Sequence, residues 1–311
     1  MNKTKIAVSS PSFSSSTLLM SELTQLPLDI HANEKALRFN EYELIQFINK
    51  HQAEILIIGL EPLTKQVIKS CPSLKAICKY GVGIDNLDLD AIENAGMFLG
   101  WTPGVNKRSV SELVLSYAFG HFRNVFPSIQ NMLNGKWIKN GGRQISHIKV
   151  GIVGFGHIGY ELASLFKSLG SHVYASDIID KTKEAKNLNV DLLSYEDLIA
   201  ECDLITFHVP RTEHTRHMYG VEQIQKTKKH ALICNTARGD IVDFYAVCEA
   251  VKKGELGGFA SDVYPHEPFD ASKFQTYPNL YFTPHIGGNS QESVLLMGRA
   301  ALSHVQAYLK K

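Results

Sequence analysis

The chain has 311 residues, with 44% apolar and 20% charged residues and a formal net charge of +1. That length suggests about two domains, and the composition is that of a soluble globular protein. The near-neutral charge gives no reason to expect a nucleic-acid or membrane-surface partner, and no apolar run is long enough to span a bilayer. The N-terminus enters a strand-like run at once and lacks the apolar core of a signal peptide. Five scattered cysteines (Cys71, Cys78, Cys202, Cys234, Cys248) show no CxxC spacing and read as reduced, buried thiols, so a cytoplasmic location is expected. His214 and His217 have no further ligands in sequence, and no metal is expected.

In chain order, strands are predicted at 5–9, 55–59, 74–79 and 97–100, with a helix over 42–50. Thr102-Pro103-Gly104 is a breaker cluster suited to a hinge. A long helical pattern then runs over 107–134, with Val110, Leu113, Val114 and Tyr117 on one face and Phe119, Phe122 and Phe126 added to it. Its length and aromatics make it the candidate homodimer interface.

Residues 149–153 read as a buried strand that passes through Gly154-Phe155-Gly156-His157-Ile158-Gly159 into a helix over 160–169. A second strand over 172–176 ends at Asp177. A dinucleotide site requires this order. Gly154 permits the tight turn, Gly156 lets backbone approach a pyrophosphate, Gly159 allows helix to pack on strand, and the helix N-terminus faces the phosphate charge. Asp177 stands where a carboxylate accepts from the adenosine ribose hydroxyls and repels a 2′-phosphate. The cofactor is therefore read as NAD rather than NADP.

Further strands are predicted at 204–208, 231–235, 258–261 and 280–283, with helices over 244–253 and 291–309. Alternation of strand and helix argues for parallel sheets covered on both faces. Three of these strands are each followed by a segment with chemically useful side chains, at the edge where open α/β sheets bind ligands. Arg238, in Asn-Thr-Ala-Arg-Gly-Asp, can grip a carboxylate through two parallel hydrogen bonds. Asp262 and Glu267 lie in Ser-Asp-Val-Tyr-Pro-His-Glu-Pro, where two prolines bracket Glu267, and His285 lies in Thr-Pro-His-Ile-Gly-Gly. Reversible hydride transfer to a carbonyl needs an acid/base near neutral pKa (His285), a carboxylate that fixes its tautomer (Glu267), and a cation that orients and polarises the substrate (Arg238). Asp262 could hold the carboxamide of a nicotinamide.

The ordered set of motifs resembles the D-isomer-specific 2-hydroxyacid dehydrogenase family, and within it the D-3-phosphoglycerate dehydrogenase branch. The resemblance extends upstream through Lys79-Tyr80-Gly81-Val82-Gly83-Ile84-Asp85-Asn86, Thr102-Pro103-Gly104-Val105-Asn106 and Ser109-Val110-Ser111-Glu112-Leu113. It implies an α/β fold of two doubly wound parallel-sheet domains. An NAD-binding Rossmann domain (103–285) is inserted into a flavodoxin-like substrate-binding domain (1–102 and 286–311). It implies that Arg238, Glu267 and His285 are catalytic. Gly154, Gly156, His157, Ile158, Gly159, Asp177, His208, Thr236, Ala237, Asp262 and Gly288 would serve the cofactor. The backbone at Val82 and Gly83, with Arg238, would hold the substrate carboxylate. Subunits of the family pair through the cofactor domain.

The expected reaction is NAD-dependent oxidation of a small D-2-hydroxy acid and its reverse, D-3-phosphoglycerate being one candidate substrate. Lys79 is the candidate cation for a substrate phosphate, whereas Gly59 stands where some relatives supply an arginine. The chain stops at Lys311, so the regulatory extensions of longer phosphoglycerate dehydrogenases are expected to be absent. Two alternatives are a hydroxypyruvate or glyoxylate reductase and an NAD(H)-sensing, corepressor-like binding protein. The full Arg–Glu–His set favours an enzyme.

Overall fold

The structure, a computed structural model, describes residues 3–35, 37–274 and 277–311. The chain divides into two compact units. Residues 1–106 with 291–311 form the first and residues 107–290 the second, so one unit is inserted into the other.

The first unit is built on five strands, β1 (Thr4–Val8), β2 (Leu28–Ala32), β3 (Ile55–Ile58), β4 (Ala76–Lys79) and β5 (Phe98–Gly100). They pair in parallel in the order β2-β1-β3-β4-β5. The central strands are apolar on both faces because helices cover both. Ile6, Val8, Ile55 and Ile57 pack with Leu19, Leu23, Met297 and Ala301 on one side. Ala7, Leu56 and Ile58 pack with Leu44, Ile48 and Val67 on the other. The helix Gln291–Leu309 returns to this unit and is clasped to the helix Thr17–Thr24 by Arg299, whose guanidinium donates to the Glu22 carboxylate.

β2 was not expected from the sequence. Its Leu-Asp-Ile-His-Ala alternation is that of a sheet-edge strand, weaker than the continuous runs of β3 and β4.

The second unit has seven parallel strands: β6 (Lys149–Val153), β7 (His172–Ser176), β8 (Asp191–Leu192), β9 (Leu204–Phe207), β10 (Leu232–Asn235), β11 (Gly258–Ser261) and β12 (Leu280–Phe282). Their order is β12-β11-β10-β9-β6-β7-β8, so the strand order reverses between β6 and β9, as in the dinucleotide-binding doubly wound fold. The two-residue β8 is too short to read from sequence.

The helix expected over 107–134 is two helices, Lys107–Phe122 and Val125–Leu133. Asn124 joins them in a left-handed conformation (φ 53°). Pro127 explains the break, because it has no N–H to give the Arg123 carbonyl and its ring would clash there. In the first turn of a new helix that donor is not needed. The two helices have different surroundings. Val110, Val114, Tyr117 and Phe122 are buried in the unit, and Phe126 packs over Gly120. Ile129, Met132, Leu133, Trp137 and Ile138 are exposed. Among the described residues, no helix is long and apolar enough to cross a membrane. All five cysteines are free and buried.

Candidate active site

The glycine loop follows β6 and sits at the reversal of the strand order. Gly154 has φ 93°, and a Cβ there would lie 2.5 Å from the carbonyl oxygen of His208, so only glycine lets the loops after β6 and β9 approach this closely. A Cβ at Gly159 would lie 2.1 Å from the Gly154 oxygen. The helix begins at His157, earlier than the expected residue 160, with Gly156 as a cap that supplies no side chain. His157, Ile158 and Gly159 therefore form its first turn, and its leading N–H groups have no side-chain acceptor. Nothing within 4 Å would obstruct a Cβ at Gly156. Open space in front of uncapped amides is what a pyrophosphate requires.

Asp177 follows β7. Its carboxylate accepts from Phe155 N at 2.7 Å and Ile179 N at 3.0 Å, so it holds the glycine loop in shape. Beside it lies a hollow lined by Ile178, Ile179, Lys181 and Leu192. Ile178 and Ile179 are exposed, and apolar side chains presented at a groove mark a ligand surface.

Two further expected cofactor residues carry buried polar atoms without a hydrogen-bond partner, His208 Nδ1 and Thr236 Oγ1. The other ring nitrogen of His208 lies 3.0 Å from Thr206 Oγ1. Burial pushes the His208 pKa down to about 3, so its ring is neutral and offers a lone pair or a single N–H. Orphaned polar atoms at a ligand-binding sheet edge fit a polar ligand such as a ribose or carboxamide.

Arg238 stands on the turn after β10. Buried Asn235 builds that turn, donating from Nδ2 to Arg238 O (2.8 Å) and accepting from Ala237 N (3.1 Å). Arg238 Nη1 donates to Ala237 O at 2.7 Å. Gly239 next to it is pressed against Tyr264, where a Cβ would lie 2.0 Å from the backbone oxygen, so this turn and the Glu267 loop are packed together.

His285 Nδ1 lies 2.7 Å from Glu267 Oε2. The other carboxylate oxygen of Glu267 accepts from Tyr264 N at 3.2 Å. The hydrogen bond to Glu267 raises the His285 pKa above its usual value, against the opposing effects of burial and of the Arg238 charge. For Glu267, burial pushes the pKa up. The hydrogen bond and charge of His285, the Tyr264 N–H and the Arg238 charge outweigh it and hold the carboxyl below its usual range. The Arg238 charge acts on both partners, and the turn that carries it packs against the loop that carries Glu267.

His285 has φ 55°, a left-handed backbone uncommon outside glycine and characteristic of functional loops. Asp262, which is 1% exposed, holds it there. Asp262 Oδ1 accepts from Thr283 Oγ1 (2.6 Å) and Ile286 N (2.7 Å), and Oδ2 from Gly287 N (2.7 Å). Tyr264 Oη donates to Thr283 O at 2.7 Å, and Tyr117 Oη pairs with Thr283 Oγ1. Asp262 thus acts on the His285 loop, a positioning role that the sequence reading did not assign. Tyr117, Tyr264 and Thr283 were missed as members of this support, and their spacing in sequence carries no signal for it. Gly288 is half-buried at the end of the same loop.

In the first unit, Gly81 (φ 120°), Val82 and Gly83 follow β4 and are half-buried. Trp101 Nε1 donates to Val82 O at 2.9 Å and fixes that turn. Lys79 is buried, 2% exposed. Its ammonium donates to the Gly59 carbonyl and to Asn86 Oδ1.

A doubly wound sheet, an uncapped glycine-loop helix at its reversal point and an acidic residue after the second strand define a dinucleotide-binding protein, here carrying an Arg–Glu–His set at the same sheet edge. The chain belongs to the D-isomer specific 2-hydroxyacid dehydrogenase family, whose NAD binding domain matches residues 115–287. It is similar to the D-3-phosphoglycerate dehydrogenase of Haemophilus influenzae, with 35% identity over 250 residues covering 77% of this chain and 60% of that one. It is also similar to the D-3-phosphoglycerate dehydrogenase of Escherichia coli, with 37% identity over 238 residues covering 74% and 58%. The chain thus spans about three fifths of the length of these two relatives. In fold it matches the crystal structure of D-lactate dehydrogenase from Aquifex aeolicus complexed with NAD and lactic acid. The TM-score is 0.83 at 24% identity, with 98% of this chain and 95% of that chain covered.

Proposed function

We propose that this protein is an NAD-dependent D-2-hydroxyacid dehydrogenase, reversibly reducing a 2-oxo acid. The observation that carries the reading is the 2.7 Å His285–Glu267 pair, with His285 raised in pKa and both groups under the Arg238 charge, on a sheet edge that fits a dinucleotide. NADH, when bound, supplies the hydride. Arg238 grips the substrate carboxylate and polarises the carbonyl. In the first unit, the backbone N–H groups of the Val82–Gly83 turn are the candidate donors to a substrate carboxylate. Protonated His285 gives its proton to the carbonyl oxygen as the carbon is reduced, and Glu267 stabilises the charged ring and fixes its orientation. In oxidation the neutral ring takes the proton from the hydroxyl.

The glycine loop and the first turn at His157, Ile158 and Gly159 receive the pyrophosphate. Asp177 receives the adenosine ribose. His208, Thr236, Ala237, Asp262 and Gly288 serve the nicotinamide end. A second copy of this chain pairs through the exposed apolar residues Ile129, Met132, Leu133, Trp137 and Ile138. The reduced, buried cysteines suit a cytoplasmic enzyme.

The test is NADH consumption with glyoxylate, pyruvate, hydroxypyruvate, 3-phosphohydroxypyruvate and branched 2-oxo acids, followed by determination of product handedness. Turnover to the D-hydroxy acid is expected. Tight NADH binding without turnover of any acid would contradict the reading and favour an NAD(H)-sensing binding protein.

A further inference from the structure

We propose that the first unit selects an unphosphorylated 2-oxo acid, an inference that rests on the dehydrogenase reading above. The sheet order of this unit reverses between β1 and β3, and open α/β sheets collect their ligands at the carboxyl edge of that point. Ser9 and Ser10 follow β1, and Gly59, Leu60 and Glu61 follow β3. The turn at Val82 and Gly83, assigned to the substrate carboxylate, follows β4 next along the same edge. The rest of the substrate therefore faces the loops after β3 and β1.

A buried carboxylate is fixed at that place. Glu61 is 1% exposed. Its Oε2 accepts from Gly59 N at 2.8 Å and lies 3.2 Å from Ser9 Oγ, so it ties the two loops together across the reversal point. A Cβ at Gly59 would stand 2.9 Å from Ser10 Oγ and 3.4 Å from Glu61 Oε2, which leaves little room between the loops.

The neighbouring cation is engaged by the fold. The Lys79 ammonium donates to Gly59 O and to Asn86 Oδ1, the latter at 3.0 Å. Asn86 Nδ2 in turn donates to Glu61 O at 2.6 Å and Gly59 O at 3.2 Å. Lys79 and Glu61 thus belong to one buried knot, joined through Asn86 and the Gly59 backbone. A phosphate dianion needs several charge-assisted donors. At this point it would meet the Glu61 carboxyl oxygens, which are acceptors and offer a phosphate no donor. Lys35 and Arg38 are exposed on the loop after β2, one strand further out.

The experiment compares kcat/KM of the wild-type protein for 3-phosphohydroxypyruvate with that for the best unphosphorylated acid of the panel, hydroxypyruvate included, at fixed NADH. The unphosphorylated acid is expected to win by at least about tenfold. Glu61→Gln is expected to narrow that ratio and Glu61→Arg to narrow it further. The wild-type ratio decides the matter even if a substitution at this buried position impairs folding. Equal use of the two acids, or preference for the phosphorylated one, overturns the inference while leaving the dehydrogenase reading intact. Failure to turn over any 2-oxo acid overturns the dehydrogenase reading itself, and this inference with it.

Discussion

Replacing His285 with alanine is expected to slow reduction by roughly a hundred- to ten-thousand-fold, the range a positioned acid/base contributes. The cause is local. The ring is half-exposed, bonded to Glu267 at 2.7 Å and raised in pKa, so it is charged over a wider pH range than a free imidazole and is poised to donate. NADH affinity should change little, because the ring is assigned to the substrate carbonyl and not to the glycine loop. Its backbone is left-handed, so alanine also strains the loop. His285→Asn tolerates that conformation and separates the two effects. If the proton is what matters, asparagine is as slow as alanine; if loop shape is what matters, asparagine recovers most of the rate. Stopped-flow measurement of NADH oxidation distinguishes these results.

Replacing Arg238 is expected to lower kcat by roughly a hundred- to a thousand-fold, the range for loss of one donor to a developing oxyanion, and to raise KM as well. Both parameters fall on this residue because the same guanidinium binds the carboxylate and polarises the carbonyl. Arg238→Lys keeps a charge but not the planar fork and should recover only part of the loss. A second consequence separates Arg238 from a remote structural role. Its charge lowers both Glu267 and His285, so Arg238→Ala should move the pH dependence of the residual activity upward. Steady-state kinetics across pH would show an unchanged KM and an unmoved profile if Arg238 served only the surface.

The dinucleotide unit was legible in the sequence because its determinants are local. β6, the Gly154–Gly159 turn, β7 and Asp177 are consecutive, and each answers to one backbone or charge requirement. Arg238, Glu267 and His285 could be singled out because each lies just beyond a strand whose apolar run announces it. What the sequence did not reveal is mostly contact between residues far apart in the chain. The Asp262 carboxylate reads as a cofactor contact, and its engagement with Thr283, Ile286 and Gly287 has no signal in the sequence. Lys79 reads as a candidate cation for a phosphate, and nothing in the sequence announces its hydrogen bonds to Gly59 and Asn86. Glu61 carries no motif at all, and only its bonds to Ser9 and Gly59 set it at the reversal point. The break at Asn124 had a local cause in Pro127, overridden in the sequence reading by the apolar periodicity on either side.

The most direct test of the proposed chemistry is the pH profile of 2-oxo acid reduction by the wild-type protein and by Glu267→Gln. Reduction consumes the proton on His285, so the wild-type rate should hold at low pH and fall as pH rises through the raised His285 pKa. Oxidation of the hydroxy acid should do the reverse. Glutamine removes the charge that raises that pKa, so the fall in reduction should come at lower pH, with a reduced maximum. A profile whose falling limb stays in place when Glu267 is replaced would contradict the assignment of the His285–Glu267 pair as the proton donor.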